Sequence, residues 1–292
     1  MPVYGELFLA LPDGKRGLRF NARNTNFGCL YHPQFSEGYE ASSLALLDAL
    51  VGNGGCFFDV GSNFGYFSLS LAAREGLAGH IHAFEPFSPS FTDLSDLVEG
   101  SGLGGLITCH RLALSNYDGT LSLQIDSLHS ALVRLEAGSG GPETEVARLD
   151  SLDLPRVDVI KIDVEGHEAE VLEGAEKTIS DTRPAILFES LHLNPLSRTQ
   201  KPFSYLRERK YVFFLPAWCV EEEGQRFFMD PLPTGNTWET PPKLGLVPFR
   251  PEERFLLHQD TNILAWPKER LEDLFHLFDD TKRFPPDKNG VC

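Results

Sequence analysis

Hydrophobic and polar residues follow two patterns that alternate along the chain. Short apolar runs, such as the one that begins at Cys56, are each followed by a stretch with hydrophobic residues three and four positions apart, such as 64–74. The first pattern is typical of buried strands and the second of helices that pack on one face. Their repeated alternation predicts an α/β fold, in which a parallel sheet carries helices on both faces.

The same patterns place the individual elements. Strands are predicted at 3–11, 15–20, 56–59, 80–84, 106–114, 120–125, 145–149, 157–162, 184–188, 211–215 and 262–266. Helices are predicted at 38–51, 64–74, 88–99, 167–179 and 205–210, and in the tail after Lys268. The stretch 216–251 is rich in Pro, Gly and aromatic residues without periodicity, so we expect a lid over a site or a solvated loop.

The elements group into three parts. Residues 1–52 hold a hairpin and a helix that are expected to cap the substrate side of a site. Residues 53–217 hold the strand–helix units of the core, and residues 218–292 hold the lid-like loop, the last sheet strand and a C-terminal helix. Because ligands of parallel sheets bind beyond the carboxyl ends of the strands, the residues at those ends are the candidates for function.

A glycine turn, residues 59–65, follows the strand that begins at Cys56 and has the form Asp-x-Gly-x-Asn-x-Gly. Glycine lets a backbone approach a ligand closely. The spacing is not the Gly-x-Gly-x-x-Gly that holds a pyrophosphate, and the acid Asp59 repels a phosphate but attracts a cation or amine. The turn therefore predicts a positively charged ligand without phosphate, and a tight turn with no ligand is the alternative.

Glu85 ends the next predicted strand. A carboxylate in this place can accept hydrogen bonds from both hydroxyls of a ribose. A surface glutamate before a helix is the alternative interpretation. Together with the glycine turn, Glu85 indicates a nucleoside that carries a positive group, and S-adenosylmethionine fits this description.

Two further strand ends carry the candidates for catalysis, which are Asp163, Glu165, Glu189 and His192. A hydroxyl acceptor must lose its proton as a methyl group arrives, so a carboxylate or histidine within hydrogen-bond reach is needed. Alternatively, Asp163 and Glu165 hold a hard divalent cation such as Mg²⁺, which lowers the pKa of the acceptor. Glu165 can also serve only to cap the following helix.

An ordered set of motifs resembles the FkbM family of S-adenosylmethionine-dependent methyltransferases. The motifs are FDVGSNFGY at 58–66, AFEP at 83–86, ALSN at 113–116, RLDSL at 148–152, VDVIKIDVEG at 157–166, VLEGA at 171–175 and PAILFE at 184–189. The resemblance implies a Rossmann-like class I methyltransferase fold with a seven-stranded, mostly parallel sheet, and methyl transfer that is usually to oxygen. It implies that Gly61, Asn63, Gly65 and Glu85 contact the cofactor. Strand-end positions and the same motifs add Asp59, Ser62, Pro86, Ala113, Leu114 and Asp163 as candidates for cofactor binding.

Composition narrows the partners and the compartment. The 292 residues carry a formal net charge of −16, which argues against binding nucleic acid or an anionic membrane surface. The five cysteines form no CxxC pair, so a disulfide framework or a zinc site is not expected. The sequence shows no membrane span and no signal-peptide pattern at its start, so a cytoplasmic location is expected.

The sequence therefore predicts an O-methyltransferase that acts on a hydroxyl of a small molecule or glycan. A non-catalytic S-adenosylmethionine-binding or scaffold module on the same fold is the alternative. A nicotinamide-dependent dehydrogenase is disfavoured because the Gly-x-Gly-x-x-Gly motif is absent. The oligomeric state, a homodimer included, is left open.

Overall fold

A computed structural model describes residues 3–22, 24–30, 38–125, 133–135, 142–192, 195–233, 235, 238, 240–279 and 283–284. The chain forms two compact units. The first unit consists of residues 1–28 and 51–184, and the second of residues 29–50 and 185–292. In the described ranges, no helix has both the length and the apolar character needed to cross a membrane.

The elements are numbered in chain order. The strands are β1 (Tyr4–Leu11), β2 (Gly14–Asn21), β3 (Cys56–Val60), β4 (His80–Phe84), β5 (Ile107–His110), β6 (Ala113–Leu114), β7 (Gly119–Ile125), β8 (Val133–Leu135), β9 (Glu143–Ala147), β10 (Val159–Ile162), β11 (Ala185–Ser190), β12 (Tyr211–Glu222), β13 (Gln225–Met229), β14 (Lys243–Phe249), β15 (Thr261–Pro267) and β16 (Arg283–Phe284). The α-helices are α1 (Ala41–Val51), α2 (Tyr66–Ala72), α3 (Ser88–Ser101), α4 (Glu168–Gly174), α5 (Glu176–Thr182), α6 (Leu196–Glu208) and α7 (Leu271–Asp279).

Parallel strands form the centre of the first unit, in the order β10-β3-β4-β5. Their apolar residues are buried, as the continuous hydrophobic runs predict, and Phe57, Phe58 and Phe84 are among the most deeply buried side chains of the described chain. Because all four strands point the same way, the turns after β3, β4 and β10 lie at one edge of the sheet. This edge holds the first group of candidate residues.

Two smaller sheets complete the first unit. The predicted N-terminal hairpin is present as the antiparallel pair β1–β2, in which Leu7 faces Leu18. The prediction of a single strand at 106–114 is wrong. The chain turns between β5 and β6, where the Leu112 N–H donates to the His110 carbonyl at 3.0 Å. Strand β6 then joins a separate sheet in the order β6-β9-β7-β8. This turn directs the candidates Ala113 and Leu114 out of the main sheet.

The second unit contains more strand than its sequence indicates. Its strands follow the order β11-β15-β12-β14-β16, and β13 also pairs with β12. The pairing is antiparallel apart from β14–β16. The irregular secondary structure expected at 216–251 is therefore wrong for most of this stretch, because pairing with β12 orders segments that lack a hydrophobic period of their own. Whether the stretch acts as a lid stays a prediction.

The α/β, Rossmann-like fold predicted from the sequence is confirmed, and the strand count differs. The main sheet of the first unit has four strands (β3, β4, β5 and β10), and the second unit has six (β11–β16), whereas one sheet of seven was predicted. The helix predicted at 167–179 is also two helices. Helix α4 ends at Gly174, where the backbone packs so closely on Ser115 that an added Cβ would lie 1.8 Å from its carbonyl oxygen.

Candidate active site

The glycine turn begins with a close contact between two loops. The N–H groups of Gly61 and Ser62 both donate to the Phe84 carbonyl, each at 3.0 Å, and so tie the turn to the end of β4. Gly61 has φ of +81°, and a Cβ added there would lie 1.8 Å from the Asp163 carbonyl oxygen. Only glycine fits a left-handed backbone at such a distance. The turns after β3 and β10 are therefore packed against each other.

The second half of the turn presents backbone groups at the start of α2. Asn63 and Gly65 have φ of +52° and +89°, and the Gly65 N–H closes the turn on the Ser62 carbonyl at 2.8 Å. The Asn63 side-chain Oδ1 is buried, and no described residue donates a hydrogen bond to it. An unpaired buried acceptor is costly, so this oxygen is a point of stored strain in the turn.

Glu85 joins the glycine turn to the turn after β4. Its Oε2 accepts the Asn63 N–H at 2.9 Å, and its Oε1 accepts the Phe87 N–H at 2.8 Å. Burial raises the pKa of Glu85 from 4.5 to about 7, although both N–H groups act to lower it. Each carboxylate oxygen keeps a second lone pair, so the side chain is fixed in place and can still accept hydrogen bonds from ligand hydroxyls.

Asp59 lies deeper than the sequence suggested. It is buried within β3, and its Oδ2 accepts the Ser68 hydroxyl at 2.6 Å. Burial raises the pKa of Asp59, while the Lys161 ammonium and the Ser68 hydroxyl oppose that rise. The strand register places Lys161 directly opposite Asp59. Asp59 thus supports the turn from behind, and a direct contact with a cofactor stays a prediction.

Asp163 and Glu165 follow β10 at the same edge of the sheet. The Asp163 N–H donates to the Val60 carbonyl at 2.9 Å. The Asp163 Oδ2 accepts a hydrogen bond from the Lys161 ammonium at 2.8 Å. Glu165 has φ of +56°, and one of its carboxylate oxygens lies within 4.8 Å of one from Asp163. The pair can serve as a base or supply two oxygen ligands to a hard cation, which takes six or more.

The remaining first-unit candidates line the neighbouring loops. The Pro86 carbonyl accepts the Thr144 hydroxyl at 3.4 Å, and Ala113 and Leu114 are buried where β6 pairs with β9. A direct contact of these three residues with a cofactor stays a prediction. The first unit therefore brings together Asp59, Gly61, Ser62, Asn63, Gly65, Glu85, Asp163 and Glu165.

Glu189 and His192 belong to the second unit, at and just beyond the end of β11. Glu189 is half-buried, and His192 is exposed. The His192 Nδ1 lies 2.8 Å from the Asp260 carboxylate, which also accepts the His192 backbone N–H at 2.8 Å. A carboxylate at Nδ1 favours the tautomer with a proton there, which leaves Nε2 as the basic nitrogen. Asp260 was not predicted as a partner of His192, because it is 68 residues away in the chain.

Glu168 was not among the candidates, and a glutamate at the start of a helix such as α4 ordinarily serves only as a cap. The side chain is buried, and its Oε1 accepts the Gly166 N–H at 2.9 Å. Burial, more than any neighbouring group, raises the pKa of Glu168 from 4.5 to about 7. Glu168 thus closes the turn that presents Asp163 and Glu165.

The raised pKa of Glu168 predicts a pH-dependent stability. Folded Glu168 keeps its proton until about pH 7, whereas the unfolded group loses it near 4.5, so this group's contribution to stability is full below pH 4.5 and is lost as the pH rises to 7. Glu168→Gln removes the titration. We therefore compare the free energy of unfolding of the variant with that of wild type. The difference, variant minus wild type, should rise between pH 4.5 and 7 by at most about 1.4 kcal/mol per pH unit. Urea unfolding at several pH values measures this difference.

Glu173→Gln is the matched control, because Glu173 is an exposed carboxylate of the same helix. Its difference from wild type should vary little over this range. A flat difference for Glu168→Gln would contradict the raised pKa.

Comparison with known proteins gives one family match. The model of the Methyltransferase FkbM domain matches residues 59–214, which contain the end of β3 and all of β4, β10 and β11, with the turns described above. No curated protein sequence matches the chain.

Solved structures with similar folds include several methyltransferases. The Methyltransferase FkbM from Methylobacillus flagellatus KT shares 13% identity over 73% of this chain and 44% of that chain, with a TM-score of 0.44. A putative O-methyltransferase from Klebsiella pneumoniae shares 15% identity over 84% of this chain and 86% of that chain, with a TM-score of 0.44. A SAM-dependent O-methyltransferase from Thermotoga maritima shares 12% identity over 89% of this chain and 77% of that chain, with a TM-score of 0.42. Likenesses this distant carry no argument about substrate.

Proposed function

This chain belongs to the FkbM methyltransferase family, whose model matches more than half of it, and on that premise we propose that it methylates a hydroxyl oxygen of a small molecule or glycan. The methyl donor of such a reaction is S-adenosylmethionine, which supplies an activated methyl group. The proposal rests chiefly on one observation, the linkage of the glycine turn to Glu85 through the Asn63 N–H at 2.9 Å.

The residues of the first unit fit this donor. Gly61 lets the glycine turn pack against the Asp163 carbonyl, which holds the turns after β3 and β10 together at the edge of the sheet where the donor would bind. Glu85 keeps free lone pairs for two ribose hydroxyls, and no phosphate-binding glycine motif competes with this assignment. The carboxylate of Asp163, still 27% exposed, would attract the positively charged end of the nucleoside.

Proton removal from the acceptor falls to the groups at the ends of β10 and β11. Asp163, Glu165 and His192 are the candidates for the base, and Glu189 for a supporting role. Of these, His192 has the partner, Asp260, that fixes its tautomer. A divalent cation at Asp163 and Glu165 is the alternative route to an ionised acceptor. In either case most of the acceleration would come from holding donor and acceptor in register.

The chemistry of the partner follows from charge. A formal net charge of −16 opposes a polyanionic acceptor, so we propose a small molecule or glycan and not a nucleic acid. The cytoplasmic location remains a prediction.

Calorimetric titration with S-adenosylmethionine tests the proposal directly. We expect saturable binding, and a ligand at about 100 times its Kd should stabilise the fold by about 2.7 kcal/mol. NADH, the matched control ligand, should not bind. Absence of binding by wild type would overturn the assignment of the cofactor.

Screening hydroxylated acceptors for S-adenosylhomocysteine release then separates the enzyme from a scaffold. Release that depends on a hydroxylated acceptor supports O-methylation. Binding without release across sugars, phenols and other alcohols would favour the non-catalytic module instead.

A further inference from the structure

Lys161 is a charged residue in the middle of a buried strand. Its side chain is 1% exposed, and the other three residues of β10 are buried hydrophobic residues. Burying an ammonium ion is strongly unfavourable unless opposite charges and hydrogen bonds compensate. A lysine retained here therefore has compensating partners, and those partners indicate its role.

The ammonium contacts one carboxylate and one aromatic ring, and a second carboxylate belongs to the residue opposite it in the sheet. Its Nζ is 2.8 Å from the Asp163 Oδ2 and 4.5 Å from the centroid of the Phe67 ring. Asp59 faces Lys161 across the β3–β10 register, and the positive charge acts to lower the pKa of that carboxyl group. Ser68 completes the cluster by donating to Asp59 at 2.6 Å.

The cluster holds Asp163 from its buried side. The Oδ2 atom is engaged by Lys161, while the Asp163 side chain remains partly exposed at the edge of the sheet. The Asp163 backbone is fixed independently, by its N–H bond to Val60 and by the close packing of its carbonyl on Gly61. With backbone and one carboxylate oxygen both fixed, the orientation of the other oxygen is determined.

We propose that Lys161 is a positioning residue, which fixes the Asp163 carboxylate beside Gly61 so that it binds the positively charged end of the cofactor. The inference rests on the proposed function for the identity of that cofactor. Lys161 itself touches no ligand, and it acts through Asp163.

A double-mutant cycle in S-adenosylmethionine binding tests this dependence. Lys161→Met and Asp163→Asn should each weaken binding by about tenfold or more. If Lys161 acts through Asp163, the double variant should be no more than about twofold weaker than the worse single variant. A lysine with a merely structural role would give independent effects, which multiply to about a hundredfold.

Two further variants serve as a rescue and as a control. Lys161→Arg keeps a cation that can donate to the carboxylate, and it should restore binding to within about fivefold of wild type. Lys177→Met is the matched control, because Lys177 forms an exposed ion pair with Asp181 at 3.1 Å, and it should bind like wild type. Equal weakening by both lysine-to-methionine variants would overturn the proposal.

Loss of folding in Lys161→Met would not end the test. Phe67→Leu removes the ring beside the ammonium without removing the charge, and it should weaken binding by about threefold, an effect absent in the Asp163→Asn background. The same cycle is also measured by urea unfolding without ligand, where uncoupled effects would overturn the proposal. Failure of wild type to bind would overturn the proposed function, whereas additive effects in a protein that binds would overturn this inference alone.

Discussion

Replacing Gly61 by alanine is expected to abolish S-adenosylmethionine binding and to lower the free energy of unfolding by about 3 kcal/mol or more. The added Cβ would lie 1.8 Å from the Asp163 carbonyl oxygen, which is backbone and cannot rotate away. The residue also has φ of +81°, which is unfavourable for alanine. To relieve the overlap, the turns after β3 and β10 must separate, and these turns hold the candidate cofactor contacts.

Urea unfolding and calorimetric titration measure the two effects of Gly61→Ala. Gly52→Ala is the matched control, because Gly52 has φ of +57° and an added Cβ would meet no described atom within 4 Å beyond its own neighbours. The control should lose about 1 kcal/mol from backbone strain alone and should keep its binding. Equal losses in the two variants would show that the close contact with Asp163 is not what requires glycine.

Glu85→Gln is the second change with a large expected effect. Both carboxylate oxygens accept backbone N–H groups, from Asn63 and from Phe87, and an amide would place its NH₂ group against one of these donors. An unsatisfied buried N–H costs about 1–3 kcal/mol of stability. We expect at least about tenfold weaker S-adenosylmethionine binding, since the two turns are no longer held together and one acceptor for the ribose is lost.

Calorimetric titration with S-adenosylmethionine at pH 8, above the raised pKa of Glu85, compares the ionised carboxylate of wild type with the amide of the variant. Glu99→Gln, at an exposed position of α3, is the control and should bind like wild type. Binding by Glu85→Gln within twofold of wild type would contradict the role of Glu85 in nucleoside recognition.

Local signals in the sequence were enough to predict the glycine turn and Glu85. Strand β4 was predicted with the bounds that the structure shows, and all four strand ends of the N-terminal hairpin were predicted to within one residue. These features depend on hydrophobic runs and turn residues within a few positions of one another. The contact between Asn63 and Glu85 follows because consecutive parallel strands bring their carboxyl ends together.

Contacts between distant residues could not be predicted in this way. The Asp260 partner of His192 and the strands β13 and β14 depend on pairing with segments far away in the chain. Lys161 was not a candidate either, because its neighbour Asp59 becomes visible only once the register of β3 against β10 is known. Residue type gave the chemistry of these positions, but tertiary packing decided their roles.

The register of β3 against β10 also has a consequence for how the protein folds. Cys56 and Asp158 exchange hydrogen bonds at the start of these strands although 102 residues separate them, whereas β1 and β2 are joined by a short turn. Closing a long loop costs conformational entropy before the contacts that it allows can stabilise the chain. Local hairpins are therefore expected to form early and distant parallel pairs late. We therefore expect the glycine turn to gain its neighbour Asp163 only in that late step. A nascent chain that ends before β10 thus carries the whole glycine turn and Glu85, yet lacks the surface against which the turn is shaped.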